Sequence, residues 1–331
     1  MRVTTNFILK NYQRNLSRSS NERNSTMNKV LTNRNFNKAS EDPAAASKAF
    51  KLRKEYLANE DYLDNVQSVI SHYDAVESSV MQMNTILKEA NALILEGIDG
   101  GKSEEQRKTI ATSLRNMQES LVLSANAKFG DSFLFGGQNT STAPFELADG
   151  KLLYFGNDVS STDPAVQSNL DAMSSEEIYV DIGLGLSYES GTMNKNSAFN
   201  KAVSGISVLG YGTSSNGTDK NIINVLGDLA DEIENASPDE DKLKQLTDQF
   251  TASKNELTDF LTQLGTKSNF LEKTESRLTD TQTNLNEKIV ELENVNLAEA
   301  ITNYSWAQYA YNAALKIGNG ILSQSFIDFM N

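Results

Sequence analysis

Val69, Tyr73, Val76, Val80, Met83, Leu87, Ala90 and Ile94 follow one another at alternating steps of four and three, without a break. Residues at those steps share one face of an α-helix, and a seam this regular demands a partner helix along its length. The seam reaches back toward Pro43, in the stretch "KASEDPAAASKAF". There Ser40 or Asp42 can cap a helix, Pro43 suits its first position, and Ala44, Ala45 and Ala46 favour its continuation. A helix of roughly 75 Å is expected from this start. A second is expected over 107–127, with Ile110, Leu114, Met117 and Leu121 on one face. Late in the chain Phe250, Leu257, Leu264, Leu271, Leu278, Leu285 and Leu292 recur at a strict spacing of seven. The positions between them are mostly polar (Ser253, Lys267, Thr274, Thr281 and Lys288), so this helix offers a narrow stripe that needs the fuller early seam. The fold class that follows is mainly α, an antiparallel, coiled-coil-like helical rod formed by the N- and C-terminal halves.

The middle of the chain has another texture. From Phe129 to about Gly217, glycines and short apolar runs replace the heptads. In "FELADGKLLYFG" the pair Asp149-Gly150 separates two strand-like runs, a hairpin signal. "EEIYVDIGLGLSY" reads as another strand. A smaller β-rich inserted domain is expected over 137–217. Residues 221–235 return to helix, and after Pro238 no proline interrupts the chain. Leu297, Ile301, Tyr304, Tyr311, Leu315, Leu322 and Phe329 continue a seam, weakened at Gln308, Gly318 and Ser325. The N-terminal arm is sparser, with Ile8, Tyr12, Leu16, Met27 and Val30 among asparagines. Neither arm has enough apolar surface to fold alone. The domain reading is therefore terminal arms 1–42 and 296–331, ordered on assembly; a helical rod of 43–136 and 218–295; and the insertion.

Charge narrows the function. Residues 1–40 carry Arg2, Lys10, Arg14, Arg18, Arg23, Lys29, Arg34 and Lys38 against Glu22 alone, so this arm is +7 and the rest of the chain −21. A net −14 argues against nucleic acid as a general partner. An acidic helix is a better match for the arm, and the last residues, with Glu291, Glu293, Glu299 and Asp328, offer one. There is no cysteine, hence no disulfide or thiolate metal site. No run is apolar enough to span a bilayer, and residues 1–30 lack a continuous hydrophobic segment like that of a secretory signal. "EGIDGGKS" misses the phosphate-loop spacing at Glu96 and follows a helix rather than a strand. "GLGLSYESG" misses the dinucleotide fingerprint at Tyr188, and "DEIENASPDED" lacks the spacing and glycine of a calcium loop. His72, the only histidine, stands beside the seam residue Tyr73 and is expected to face solvent. No catalytic, cofactor-binding or metal residue is expected, and the chain is read as no enzyme.

With the layout in view, "NKASEDPAAASKAF" is similar to the signature that opens the first rod helix of the bacterial flagellin family, here Ser40, Glu41, Asp42 and Pro43. The chain resembles that family over roughly 1–155 and 220–331. "MRVTTNF", "FLFGGQNTSTAPF" and "NLAEAITNYSWAQYAYNAALKIGNGILSQSFIDFMN" favour its hook–filament junction subunits over flagellin itself. One departure is Asn33, where the family has a Ser/Thr-Gly-Lys turn; asparagine tolerates positive φ, so the turn can survive. The resemblance implies a structural subunit of the bacterial flagellum, outside the cell, exported unfolded by the flagellar type III apparatus without a cleaved signal. Its implied partners are hook-associated protein 1, flagellin, further copies of itself and an export chaperone, with no membrane insertion. Tyr311, Leu315, Leu322, Phe326 and Phe329 form an apolar stripe that a chaperone would cover before export. A minor flagellin building the filament is the alternative; an imported organelle scaffold is the reading from another class.

Overall fold

The computed structural model describes residues 2–99, 101–214 and 217–327, with the side chains of those between 6 and 320. In chain order come three helices, α1 (Arg2–Thr32), α2 (Pro43–Ile98) and α3 (Glu104–Ala125). Short strands follow: β1 (Lys128–Phe129), β2 (Ser132–Phe133), β3 (Phe145–Ala148), β4 (Lys151–Tyr154) and β5 (Asn157–Asp158). Then come α4 (Pro164–Ser174), β6 (Tyr179–Val180), β7 (Tyr188–Glu189), β8 (Thr192–Met193), β9 (Phe199–Asn200) and α5 (Gly205–Leu209). Helices α6 (Ile222–Glu234), α7 (Glu240–Glu293) and α8 (Leu297–Ile327) close the chain. These elements form two compact units, one of 61–279 and one that joins the residues up to Glu60 to those from Asp280. Each unit combines the two halves of the sequence. The fold is mainly α, its early and late helices antiparallel, with a smaller strand-bearing insertion.

In the 61–279 unit the early seam is the core. Val69, Tyr73, Val76, Val80, Met83, Leu87, Ala90 and Ile94 are at most 2% exposed. The late stripe, Phe250, Leu257, Leu264, Leu271 and Leu278, joins the same hydrophobic cluster. Gln67 donates to Glu275 at 2.9 Å, an antiparallel register between α2 and α7. Two of the polar positions in that stripe are buried as well. The Ser253 hydroxyl donates to the Lys220 carbonyl and the Thr274 hydroxyl to the Phe270 carbonyl, each at 2.9 Å, so neither is buried unpaired.

Helix α3 begins at a reciprocal cap between Ser103 and Gln106 and packs on α6. Lys102, in the stretch that nearly spells a phosphate loop, pairs with Glu96 at 2.7 Å. Asn221 caps α6 through the Ile223 N–H at 3.0 Å.

The insertion keeps one expected hairpin and breaks one expected strand. Ala148 pairs with Lys151, and Asp149 and Gly150 both take positive φ (50° and 80°), as a two-residue hairpin turn of this hand requires. "EEIYVDIGLGLSY", by contrast, is not one strand. Its start, β6, pairs with β9 and its end, β7, with β8. Gly183 (φ 74°) and Gly185 (φ 84°) turn the chain between them. Helices α4 and α5 also lie within the insertion, among its short strands. His72 also departs from expectation. It is half-buried beside a cavity of about 340 Å³ that Lys201 and Gln138 also line, and burial, then Lys201, lowers its pKa.

Candidate assembly surface

The unit that unites the two chain ends is closed by a clasp of backbone and side-chain hydrogen bonds. Helix α1 stops at Asn33, which takes φ 55°, a left-handed conformation that asparagine tolerates better than most residues. Beyond it the Asn35 N–H donates to the Glu293 carbonyl at 2.7 Å. The Asn35 amide donates to the Asn294 carbonyl at 2.8 Å and the Leu292 carbonyl at 3.2 Å. The Val295 N–H returns to the Asn33 carbonyl at 3.3 Å. Arg53 grips the Glu293 carboxylate with two donors at 2.7 and 2.5 Å. The link between α1 and α2 is thus tied to the link between α7 and α8.

The signature residues sit at this clasp as a helix start. Asp42 accepts the Ala45 N–H at 2.9 Å, and its carbonyl accepts the Ala46 N–H, also at 2.9 Å. Glu41 accepts the Asn37 N–H at 2.8 Å, fixing the turn in front of the cap. Pro43 is the first residue of α2, where its missing N–H costs nothing, and Ser40 lies exposed in the preceding turn. Asp42 is therefore the cap, rather than Ser40.

Helices α1 and α8 pack on each other along a face of α8 on which tyrosines alternate with alanine and glycine. Ala300, Tyr304, Ala307, Tyr311, Ala314 and Gly318, again at steps of four and three, are among the less exposed described positions of α8, with Gln308 and Ala313 beside them. The Tyr12 hydroxyl lies over Gly318, within 1.9 Å of where a Cβ would stand. Arg23 lies over the Tyr311 ring, 4.4 Å from its centroid. Leu9 is turned further in than the expected Ile8. The seam expected from Leu297, Ile301 and Leu315 fails for the same reason, since all three are exposed. Alanine and glycine let two helix backbones approach, and the bulky side chains are left outside. Trp306 is 68% exposed, Tyr309 71% and Ile317 63%. The Leu322 and Phe326 side chains, and Phe329 altogether, lie outside the described residues.

Among the described residues no ion pair joins α1 to residues 291–320, and Glu293 is taken by Arg53. What remains is a helix pair that leaves Trp306, Tyr309 and Ile317 exposed; exposed apolar side chains are a feature of interaction surfaces where they are contiguous. Among the described residues no helix is long and apolar enough to cross a membrane, and no group of His, Asp or Glu is gathered as a metal would need.

Comparison with known proteins meets this geometry at both ends. The bacterial flagellin N-terminal helical region matches residues 3–140, and the bacterial flagellin C-terminal helical region matches 247–324. The chain belongs to the flagellin family. Within the flagellin family it is similar to flagellar hook-associated protein 3 of Escherichia coli K12, 24% identical over 96% of this chain and 95% of that one. B-type flagellin of Pseudomonas aeruginosa is 26% identical, over 43% of this chain and 28% of its own. Among solved structures, a Vibrio parahaemolyticus protein described as flagellar hook-associated shares the fold, with a TM-score of 0.61 at 20% identity. That likeness covers 77% of this chain and 100% of the other.

Proposed function

We propose that this chain is a structural adaptor of the bacterial flagellum, a subunit of the junction between hook and filament. The observation that carries the reading is the inverted packing of α1 on α8. Ala300, Ala307 and Gly318 face inward beside Tyr304 and Tyr311, and Trp306, Tyr309 and Ile317 face outward, so in this reading the pair is finished only when other subunits cover it. The end-to-end similarity to a hook-associated protein 3 supports a junction over a filament, because the similarity to a flagellin spans only 43% of this chain and 28% of that one. In this reading hook-associated protein 1 lies on one side of the layer and flagellin on the other. Export is in the unfolded state, and a cytosolic chaperone takes the segment with Tyr311, Leu315, Leu322, Phe326 and Phe329 as a helix.

The test is made on cells. Deleting the gene leaves hooks in place and spills flagellin into the medium. Gold-labelled antibody to the protein marks one point at the hook–filament boundary of intact cells. Label running along the filament, or long filaments grown from the pure protein alone, would overturn the adaptor reading in favour of a minor flagellin.

A further inference from the structure

Helix α1 and the middle of α2 are opposite in charge, and neither is neutralised within the chain. Over 2–32 the cations are Arg2, Lys10, Arg14, Arg18, Arg23 and Lys29, against Glu22 alone. From Glu55 to Leu87 the charged residues are all acids: Glu55, Glu60, Asp61, Asp64, Asp74 and Glu77. No ion pair involves any of these acids, or any of the α1 cations between Lys10 and Lys29, among the described residues. On α1, Lys10, Arg14 and Arg18 stand exposed at successive steps of four, a basic stripe about 12 Å long. On α2, Glu60 and Asp64 stand exposed at the same step. The spacing also matches at the apolar end: Phe7, 63% exposed, precedes Lys10 by three residues, and Leu57, 59% exposed, precedes Glu60 by three.

We propose that this face of α1 docks in trans along α2 of a second copy of the chain, with the helices parallel. Phe7 meets Leu57, Lys10 meets Glu60 and Arg14 meets Asp64. The inference rests on the reading that copies of this chain stand side by side in one layer. Exposed pairs of this kind contribute little to stability; their effect is on register and on the choice of neighbour, and salt weakens them.

The absence of cysteine makes the test clean. Full-length Lys10→Cys and Glu60→Cys proteins are mixed in equal amounts at low salt and oxidised, and the mixed dimer is counted against the two like dimers. The cysteines replace the Lys10–Glu60 pair, so the Arg14–Asp64 pair and the Phe7–Leu57 contact carry the preference, and the mixed species is expected about threefold above its statistical share. Adding Arg14→Glu to the first protein returns it to that share, and adding Asp64→Arg to the second restores the excess. Circular dichroism confirms that all variants keep the helix content of the parent. A mixed dimer at its statistical share in the parent pair overturns the proposal, as does an excess that ignores the Arg14→Glu change. Binding of the unmodified protein to hook ends is scored separately, so failure there strikes the adaptor reading and not this interface.

Discussion

Two regions of this molecule use the same helical grammar in opposite ways. In the 61–279 unit the steps of four and three carry Val, Leu, Met and Ile, and these are buried. In the terminal unit the less exposed steps of α8 carry Ala, Tyr and Gly, and Leu297, Ile301, Trp306, Leu315 and Ile317 are outside. Burial of a large apolar side chain contributes about 1.5–3 kcal/mol, whereas an alanine methyl contributes about 0.8. The first unit therefore gains more from its own packing than the second, which leaves Trp306, Tyr309 and Ile317 outside. A seam can be a core or a docking face, and the size of the residues on it decides which.

Four changes would break or sharpen that contrast. The largest effect is expected from Phe250→Ala, which empties a fully buried site and should cost about 3–5 kcal/mol in denaturant unfolding. Trp306→Ala in the terminal unit should change the same measurement by no more than about 0.5 kcal/mol. Equal losses would mean that both units are held in the same way.

Next comes Gly318→Val, whose side chain displaces the Tyr12 ring and should weaken the α1–α8 pair by about 1–3 kcal/mol. Trypsin cleavage after Arg14 and Arg18 reads this locally. Cleavage there should already be faster than within 61–279, should accelerate in the variant, and should slow again when Tyr12→Ala makes room. Arg14 and Arg18 bonds that outlast the 61–279 unit would show a terminal pair already stable by itself.

Asn33→Ala forces a Cβ-branched-free but ordinary residue into the left-handed turn at the clasp, at a cost of about 1 kcal/mol; Asn33→Gly should be neutral or slightly stabilising. Hydrogen exchange at the Asn35 and Val295 amides reports the difference.

The smallest effect concerns pH and belongs to the 61–279 unit, which holds the only histidine. Burial, and secondarily Lys201, lowers the His72 pKa below its ordinary 6.5, so the unfolded chain binds the proton more readily than the folded one. Stability from this group is present above about pH 6.5 and is lost as pH falls toward the folded pKa. His72→Gln should flatten the slope of melting temperature against pH in that window, and an unchanged slope would assign it elsewhere.

Much of this was legible in the sequence because heptad spacing survives without knowledge of partners. The α2 seam, the α7 stripe, the Asp149-Gly150 turn and the cap at Asp42 each depend on neighbours close in sequence or on a long repeat. The α8 face was not legible in the same way. Counting apolar residues selects Leu297, Ile301 and Leu315, because hydropathy ranks leucine above alanine, while close helix contact favours alanine and glycine. Gly318, which looks like a gap in a seam, is the place where Tyr12 comes nearest. A search for small residues at steps of four and three, beside Tyr304 and Tyr311, would have found the contact face. The clasp between Asn35 and 292–294 was not legible, since its acceptors are carbonyls that any residue could supply and its one side-chain donor, the Asn35 amide, meets them 257 or more positions along the chain.

Trp306, the only tryptophan of the chain, lies on the surface whose role is at issue. Replacing it biosynthetically with 5-hydroxytryptophan gives an emission that can be read apart from the tryptophans of other flagellar proteins. Iodide quenching of that emission is then compared between the free protein and the protein bound to isolated hook ends. The account predicts free access in solution and strong shielding on assembly, because the outer face of α8 is covered by neighbouring subunits. Equal quenching in the two states would leave that face bare in the assembly and contradict the claim that α1 and α8 are packed inside out in order to be covered.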